Sequence, residues 1–202
     1  MPEQIVLVRH GQTEWSRTGR HTGLTDIPLT PQGEDEARLV TGTLADWEFE
    51  AAFASPLLRA RSTASLAGFD PAVDDDLVEW DYGEVEGRTN AEILVERPGW
   101  SKWIDGVPGG ETADAVGKRA DRFFERIHDI PGEVVVFAHG HFLSIAIARW
   151  LGLAAGDGRR FPLRTATVSV LGAKRDDRVL RLLNHLCGHG NVDPVMPAES
   201  MR

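Results

Sequence analysis

Two short apolar runs constrain this chain more than anything else in it. Ile5-Val6-Leu7-Val8 stops at Arg9-His10-Gly11, and Val134-Val135-Val136-Phe137 stops, past Ala138, at His139-Gly140. Both runs are uncharged, rich in β-branched residues and no longer than a strand, so both read as buried strands. A helical pattern follows the second directly and the first after a longer segment. Strands that alternate with helices build an open α/β sheet, and such sheets bind ligands beyond the carboxyl ends of their strands. The two runs therefore carry a histidine each to the edge where chemistry is done.

At the first strand end the residue types suit phosphate. Arg9 offers a planar fork of donors. His10 offers a ring nitrogen that is neutral, hence nucleophilic, near neutral pH. Gly11 lets backbone approach an anion. A strand that merely ends in a polar turn has the same letters, so the rest of the chain must decide.

Trp15 to Leu29 has no apolar period and reads as a long loop that walls the site or is simply solvated; it carries Gly19-Arg20-His21. Thr30-Pro31 starts a helix with a hydroxyl cap and proline at the first position, and Ala37, Val40 and Leu44 keep helical spacing. Ala51 to Ala54 is a short strand, followed by a cap-like Ser55 and a helix with Arg59 and Arg61 in its first turn. Cations there oppose the helix dipole unless an anion is near; Arg61 is expected to face solvent and Arg59 the site. Asp74 to Gly87 mixes carboxylates with Trp80 and Tyr82. It suits an acidic surface turn, a metal-binding turn, or a general acid among aromatics. Helices are predicted over Thr89–Val95, Thr112–His128 and Phe142–Leu151, and strands over Ala166–Gly172 and Arg178–Asn184 around a turn at Arg175-Asp176-Asp177. Trp100 and Trp103 form an aromatic patch, read as exposed. His185, Cys187 and His189 lie close together, but their alternating spacing matches no common zinc pattern.

Charge excludes some classes of partner. With 22 Lys and Arg against 31 Asp and Glu the net charge is −9, so nothing draws the whole chain to nucleic acid or an anionic membrane. No run approaches the roughly 18 apolar residues of a membrane helix. A single cysteine excludes an intrachain disulfide. With no basic segment ahead of an apolar run at the start, a cytoplasmic protein is expected.

Five motifs in order give the chain a family likeness. They are Leu7-Val8-Arg9-His10-Gly11-Gln12-Thr13; Ser55-Pro56 with Arg59 and Ala60; Leu77-Val78-Glu79 followed by Gly83 and Glu86-Gly87; Gly109-Gly110-Glu111; and His139-Gly140. Together they resemble the histidine phosphatase superfamily, in its phosphoglycerate-mutase-like branch. Gly19-Arg20-His21-Thr22-Gly23 and Glu79-Trp80-Asp81-Tyr82-Gly83 are similar to small actinobacterial acid phosphatases that carry mutase names. The resemblance implies a three-layer α/β/α sandwich with a mostly parallel sheet, formed by residues 1–202 as one domain. Residues of about 88–110 would be a short lid-like insertion, and about 190–202 a loose tail.

It also implies roles. His10 would attack phosphorus and become phosphohistidine. Arg9, Arg59 and a protonated His139 would surround the phosphoryl oxygens, so that no metal and no cofactor is needed. Glu79 would protonate the leaving oxygen and then deprotonate water, giving faster hydrolysis at mildly acidic pH. Ser16, His21, Thr22, Gly23, Trp80, Tyr82, Gly140 and His141 would bind or shape the substrate, a small phosphorylated metabolite. Ser16 stands where the family often has Asn, which leaves one phosphate contact open. The segment between Gly87 and Gly109 lacks the basic insertion of cofactor-dependent mutases, which favours water as the acceptor. The expected activity is thus a phosphomonoesterase of the acid phosphatase type. A phosphoglycerate mutase and a non-catalytic phospho-ligand or protein-binding module are the alternatives, and a homodimer is left open.

Overall fold

A computed structural model describes residues 1–175, 177–192 and 194. The strands are β1 (Gln4–Arg9), β2 (Phe49–Ala54), β3 (Ala72–Val73), β4 (Glu133–Ala138), β5 (Thr167–Lys174) and β6 (Asp177–Leu186), forming one sheet in the order β3-β2-β4-β1-β5-β6. β1 pairs parallel with β4, β4 with β2, and β2 with β3, whereas β5 is antiparallel to both β1 and β6. From β1 the chain moves outward to β2 and β3, then returns to insert β4 beside β1.

The apolar runs are continuous because both faces of the central strands are covered. Alternate residues point to opposite faces. Ile5, Leu7, Val134, Val136 and Ala138 share one core with α6 (Ala113–Arg126) and α7 (Gly140–Trp150), through Val116, Phe123, Phe142 and Ile145. Val6, Val8, Val135 and Phe137 share the other with α2 (Pro31–Thr43) and α3 (Leu58–Leu66), through Val40 and Ala64. The result is a mixed, mostly parallel sheet between two helical layers. The register sets Arg9 opposite Ala138, and the His10 amide donates to the Ala138 carbonyl at 3.0 Å. The two strand-end histidines are therefore neighbours.

Several expectations are corrected. The stretch read as loop from Trp15 contains α1 (Glu14–Thr18), capped by Thr13, whose side chain accepts from the Ser16 amide. Five residues are too few to show an apolar period. Ser55 does not cap α3. The capping position is Leu57, which has no side-chain cap, and the Ser55 hydroxyl turns to His139 instead. Trp100 and Trp103 are half-buried against the core, not exposed. They belong to the segment that carries α4 (Asn90–Glu96) and α5 (Lys102–Asp105). β6 extends past Asn184 to include His185, while Cys187 is buried beside Thr43. Among the described residues no group of three His, Cys, Asp or Glu could hold a metal ion. The start of the expected loose tail is tied down: Val192 is buried, its amide donates to the Thr43 carbonyl, and its own carbonyl accepts from the Trp47 indole. Asp176, Asp193 and residues 195–202 lie outside the described residues.

The turn after β1 is locked by a close backbone approach. A Cβ on Gly11 would lie 2.2 Å from the Gly33 carbonyl oxygen, and one on Gly33 would lie 2.0 Å from the Gln12 oxygen. Neither contact can relax by moving a flexible side chain. Gly33→Ala is therefore expected to lower stability in urea unfolding by about 1–3 kcal/mol, as overpacking does. Gly42 lies in the same helix with nothing within 4 Å of its Cβ position, so Gly42→Ala is expected to gain up to about 1 kcal/mol. Equal stability of the two variants would show that the approach does not constrain the turn.

Candidate active site

His10 follows β1 and is buried. Its Nδ1 lies 2.7 Å from the Gly11 carbonyl, which can only accept, so Nδ1 carries the hydrogen. Nε2 keeps its lone pair for the cavity that His10 lines. Burial, then the charges of Arg59 and Arg9, hold this imidazole well below the ordinary histidine range. It is a neutral imidazole whose tautomer is chosen by one backbone carbonyl.

Two arginines flank it. The Arg9 guanidinium packs flat on Gly140, whose missing Cβ would lie 3.0 Å from the Arg9 Cζ, and it donates to the Leu163 carbonyl. Arg59 is fully buried, and each of its nitrogens has a protein acceptor. Nε donates to His139 Nδ1 at 3.1 Å, Nη1 to the Thr25 carbonyl at 3.0 Å and Nη2 to the Gly23 carbonyl at 2.8 Å.

That first bond corrects the expectation of a protonated His139. Because Nδ1 accepts from Arg59, the hydrogen sits on Nε2, which donates to Ser55 Oγ at 2.8 Å. Burial and the neighbouring charge of Arg59 hold His139 well below its usual range. His139 is a neutral link between Arg59 and Ser55, and its ring lies 5.2 Å from that of His10.

Glu79 sits at the amino terminus of α7. Oε1 accepts from the amides of Trp80 (2.9 Å) and Phe142 (2.7 Å), and Oε2 from that of His141 (3.0 Å). Oε2 thus takes a single N–H bond and has a lone pair left to carry a proton. Arg119 holds the segment behind it, donating to the carbonyls of Asp76 and Val78 while paired with Glu111.

Arg9, His10, Ser16, His21, Thr22, Glu79, Tyr82 and His141 line one cavity of about 270 Å³. Of the other expected residues, Arg59 and His139 are not among those that line it. Trp80 is buried beneath, its indole donating to the Glu111 carbonyl. Gly23 donates its amide to Glu86, and Gly140 lies under Arg9. Ser16 lines the cavity, but its hydroxyl donates to the Thr13 carbonyl at 3.0 Å. Its one hydrogen is thereby engaged, which a longer Asn amide would not share.

Comparison with known proteins gives the family. The model of the histidine phosphatase superfamily, branch 1, matches residues 5–186. The chain belongs to the histidine phosphatase superfamily. It is 38% identical over 191 residues to an acid phosphatase of Mycobacterium tuberculosis, covering 92% of this chain and 94% of that one. It is 40% identical over 186 residues to sedoheptulose 1,7-bisphosphatase of Saccharomyces cerevisiae, covering 74% and 68%. A solved structure of a Mycobacterium tuberculosis open reading frame product superimposes with a TM-score of 0.88 at 36% identity, covering 92% of this chain and 99% of that one. A phosphatase is the activity these relatives support.

The chain also has site residues that the sequence does not single out. Asn90 and Lys102 line the same cavity, together with Gly19 and Arg20 of the loop expected to wall it. Glu86 holds its wall, accepting from the amides of Gly23 (3.1 Å), Leu24 (3.3 Å) and Thr25 (2.7 Å). Lys102 falls in the segment between Gly87 and Gly109, which was expected only to lack a basic insertion. A lone lysine between Trp100 and Trp103 was the available signal. The Tyr82 hydroxyl and His141 Nδ1 share a hydrogen bond. Burial, then the charge of Glu79, pushes the phenol well above the usual range, and burial and Lys102 hold His141 well below.

Three buried histidines held neutral link stability to pH. Below about pH 6.5 the unfolded chain binds protons that the folded chain does not bind at His10, His139 and His141. Their contribution is complete above that pH and is lost as pH falls, at about 1.4 kcal/mol per pH unit each, or about 4 together. Urea unfolding is therefore expected to give level stability from pH 8 to 7 and a steep fall from pH 6 to 5. Level stability down to pH 5 would show that these histidines are charged in the fold.

Proposed function

We propose that the chain is a metal-independent phosphomonoesterase of the acid phosphatase type, which hydrolyses small phosphorylated metabolites through a phosphohistidine on His10. The observation that carries this is the bond from His10 Nδ1 to the Gly11 carbonyl, which leaves Nε2 free beside the cationic fork of Arg9. Phosphoryl transfer needs in-line positioning and compensation of spread negative charge. Arg9 lies in the cavity wall and Arg59 acts through its field, so the charge that a metal would supply comes from side chains.

In the first step the Nε2 lone pair forms the N–P bond as the ester P–O bond breaks. The leaving oxygen takes the proton held on Glu79 Oε2. In the second, water attacks phosphorus, its proton passes to the Glu79 carboxylate, and the N–P bond breaks to release phosphate. Splitting the reaction in this way is ordinary covalent catalysis. The depression of the His10 pKa keeps the nucleophile neutral in mildly acidic medium. The mutase reading would need a phosphorylated acceptor in place of water.

The test is hydrolysis of p-nitrophenyl phosphate and of an alkyl phosphate from acidic to neutral pH, with EDTA present. Wild type is expected to turn over both, faster at mildly acidic pH. His10→Ala should lose roughly a thousandfold or more. Glu79→Gln should lose about 10²–10⁴-fold on the alkyl ester, as removal of a general acid does, and far less on the nitrophenyl ester, whose leaving group needs little protonation. Turnover that survives in His10→Ala would exclude the mechanism. Production of 2-phosphoglycerate from 3-phosphoglycerate and 2,3-bisphosphoglycerate, with no ester hydrolysed, would establish the mutase instead.

A further inference from the structure

Lys102 is a buried amine that the chemistry at His10 leaves unused. It opens α5, is 8% exposed and lines the same cavity as Arg9, His10 and Glu79. The chain's two other lysines, Lys118 and Lys174, are exposed. A buried cation loses hydration, and without a counter-ion it is unfavourable. Among the described residues the Lys102 ammonium forms no ion pair, and its one hydrogen bond runs to His21 Nε2 at 3.1 Å. Burial draws it down to about 8, against the opposing charge of Glu79. A large share of Lys102 is therefore neutral amine in mildly alkaline medium, where an ordinary lysine, at about 10.4, is almost wholly ammonium.

His21 sets which way that amine faces. Its Nδ1 lies 2.8 Å from the Arg88 carbonyl, so Nδ1 carries the hydrogen and Nε2 can only accept. Burial, then the charge of Lys102, pulls His21 below its usual range and keeps it an acceptor. The Tyr82 ring meets it edge-on at 4.8 Å. An acceptor holds a hydrogen of the amine, never its lone pair. Neutral Lys102 thus gives one N–H to His21 and turns its lone pair away from the imidazole. A desolvated lysine amine held in this way is the nucleophile of imine chemistry.

We propose that Lys102, oriented by His21, is a covalent site for small phosphorylated aldehydes, whose carbonyl carbon it captures as an imine while their phosphate lies at Arg9 and His10. This rests on the reading of Arg9 and His10 as a phosphate site, but not on turnover there. The amine lone pair forms the C–N bond as the carbonyl π bond opens, and one amine proton passes to the oxygen. The remaining N–H proton then leaves through His21 Nε2 for the hydroxyl, the C–O bond breaks, and water departs as the C=N bond forms. Nothing is oxidised or reduced. The imine holds the aldehyde in the cavity of about 270 Å³ and closes it, reversibly, to other esters.

The test is to incubate wild type with glyceraldehyde 3-phosphate in mildly alkaline buffer, reduce with cyanoborohydride, and follow initial labelling of each lysine by peptide mass spectrometry. Lys118 and Lys174 are references within the same molecule. Lys102 is expected to be labelled at least about tenfold faster than either, in line with its larger share of neutral amine. Glyceraldehyde, which lacks the phosphate, should lose most of that preference, and excess inorganic phosphate should slow labelling at Lys102 alone. Labelling of Lys102 no faster than that of the exposed lysines overturns the proposal. So does a preference that persists with glyceraldehyde and is indifferent to phosphate. Lys102→Arg keeps a cation but has no amine that forms an imine. After the same treatment wild type should lose p-nitrophenyl phosphate hydrolysis in step with labelling at Lys102, while the variant keeps its own untreated rate. Equal loss in both would place the inactivating adduct elsewhere and overturn the proposal. The labelling ratio is read on wild type alone and stands whether or not the variant folds. Wild type that hydrolyses no ester but is labelled selectively at Lys102 would remove the phosphatase reading and leave this one standing.

Discussion

The active edge depends on the parallel pairing of β1 with β4. Its register brings Arg9 level with Ala138, and the His10 amide continues the ladder into the Ala138 carbonyl. The two histidines at this edge then follow from what comes after each strand. Beyond β1 are His10 and Gly11, and beyond β4 are His139 and Gly140. A slip of one residue would reverse the face of every side chain on either strand. Both strands are covered on both faces by apolar residues, so the register that packs the two cores also sets the two imidazoles 5.2 Å apart.

The charges of the site are distinguished by what holds them. On the surface, arginines pair with carboxylates: Arg122 and Arg126 with Asp76, Arg88 with Glu96. In the site, Arg9 and Arg59 are held by the carbonyls of Leu163, Gly23 and Thr25, and Lys102 by an imidazole. Carbonyls and a neutral ring fix a cation's position without cancelling its charge. The positive field therefore remains for a ligand, in a chain whose net charge is −9. The same field, with burial, keeps His10 neutral, so the groups that would attract an anion also keep the imidazole unprotonated.

The strand-end histidines and Arg9 were legible in the sequence because each depends on a local pattern, an apolar run that stops at a polar residue. The layers were legible because strand and helix periods are local too. The acidic stretch from Asp74 to Gly87 was not, because its carboxylates part company in three dimensions. Asp74 and Asp76 pair with arginines of α6, Glu79 turns to α7, and Glu86 clamps the amides of Gly23 to Thr25. Nothing in their spacing marks which does which; only the family likeness singled out Glu79. Lys102 and the true partner of Ser55 were hidden for the same reason. Each acts on a residue distant in the chain, His21 in one case and His139 in the other.

Glu79 also alters what the amino terminus of α7 does. A strand that ends in glycine and leads into a helix usually cradles phosphate with free amides. Here the amides of His141 and Phe142 are taken by the Glu79 carboxyl. The helix end that could have bound an anion holds a carboxyl group instead, and an anion in the cavity is left to side chains. Backbone amides cannot be moved by substitution, so Glu79 is placed as firmly as the helix itself. Side chains, in contrast, can be changed by substitution. That division would let the reaction stay constant while the wall opposite, carried on α4 and α5, decides which phosphate esters are accepted.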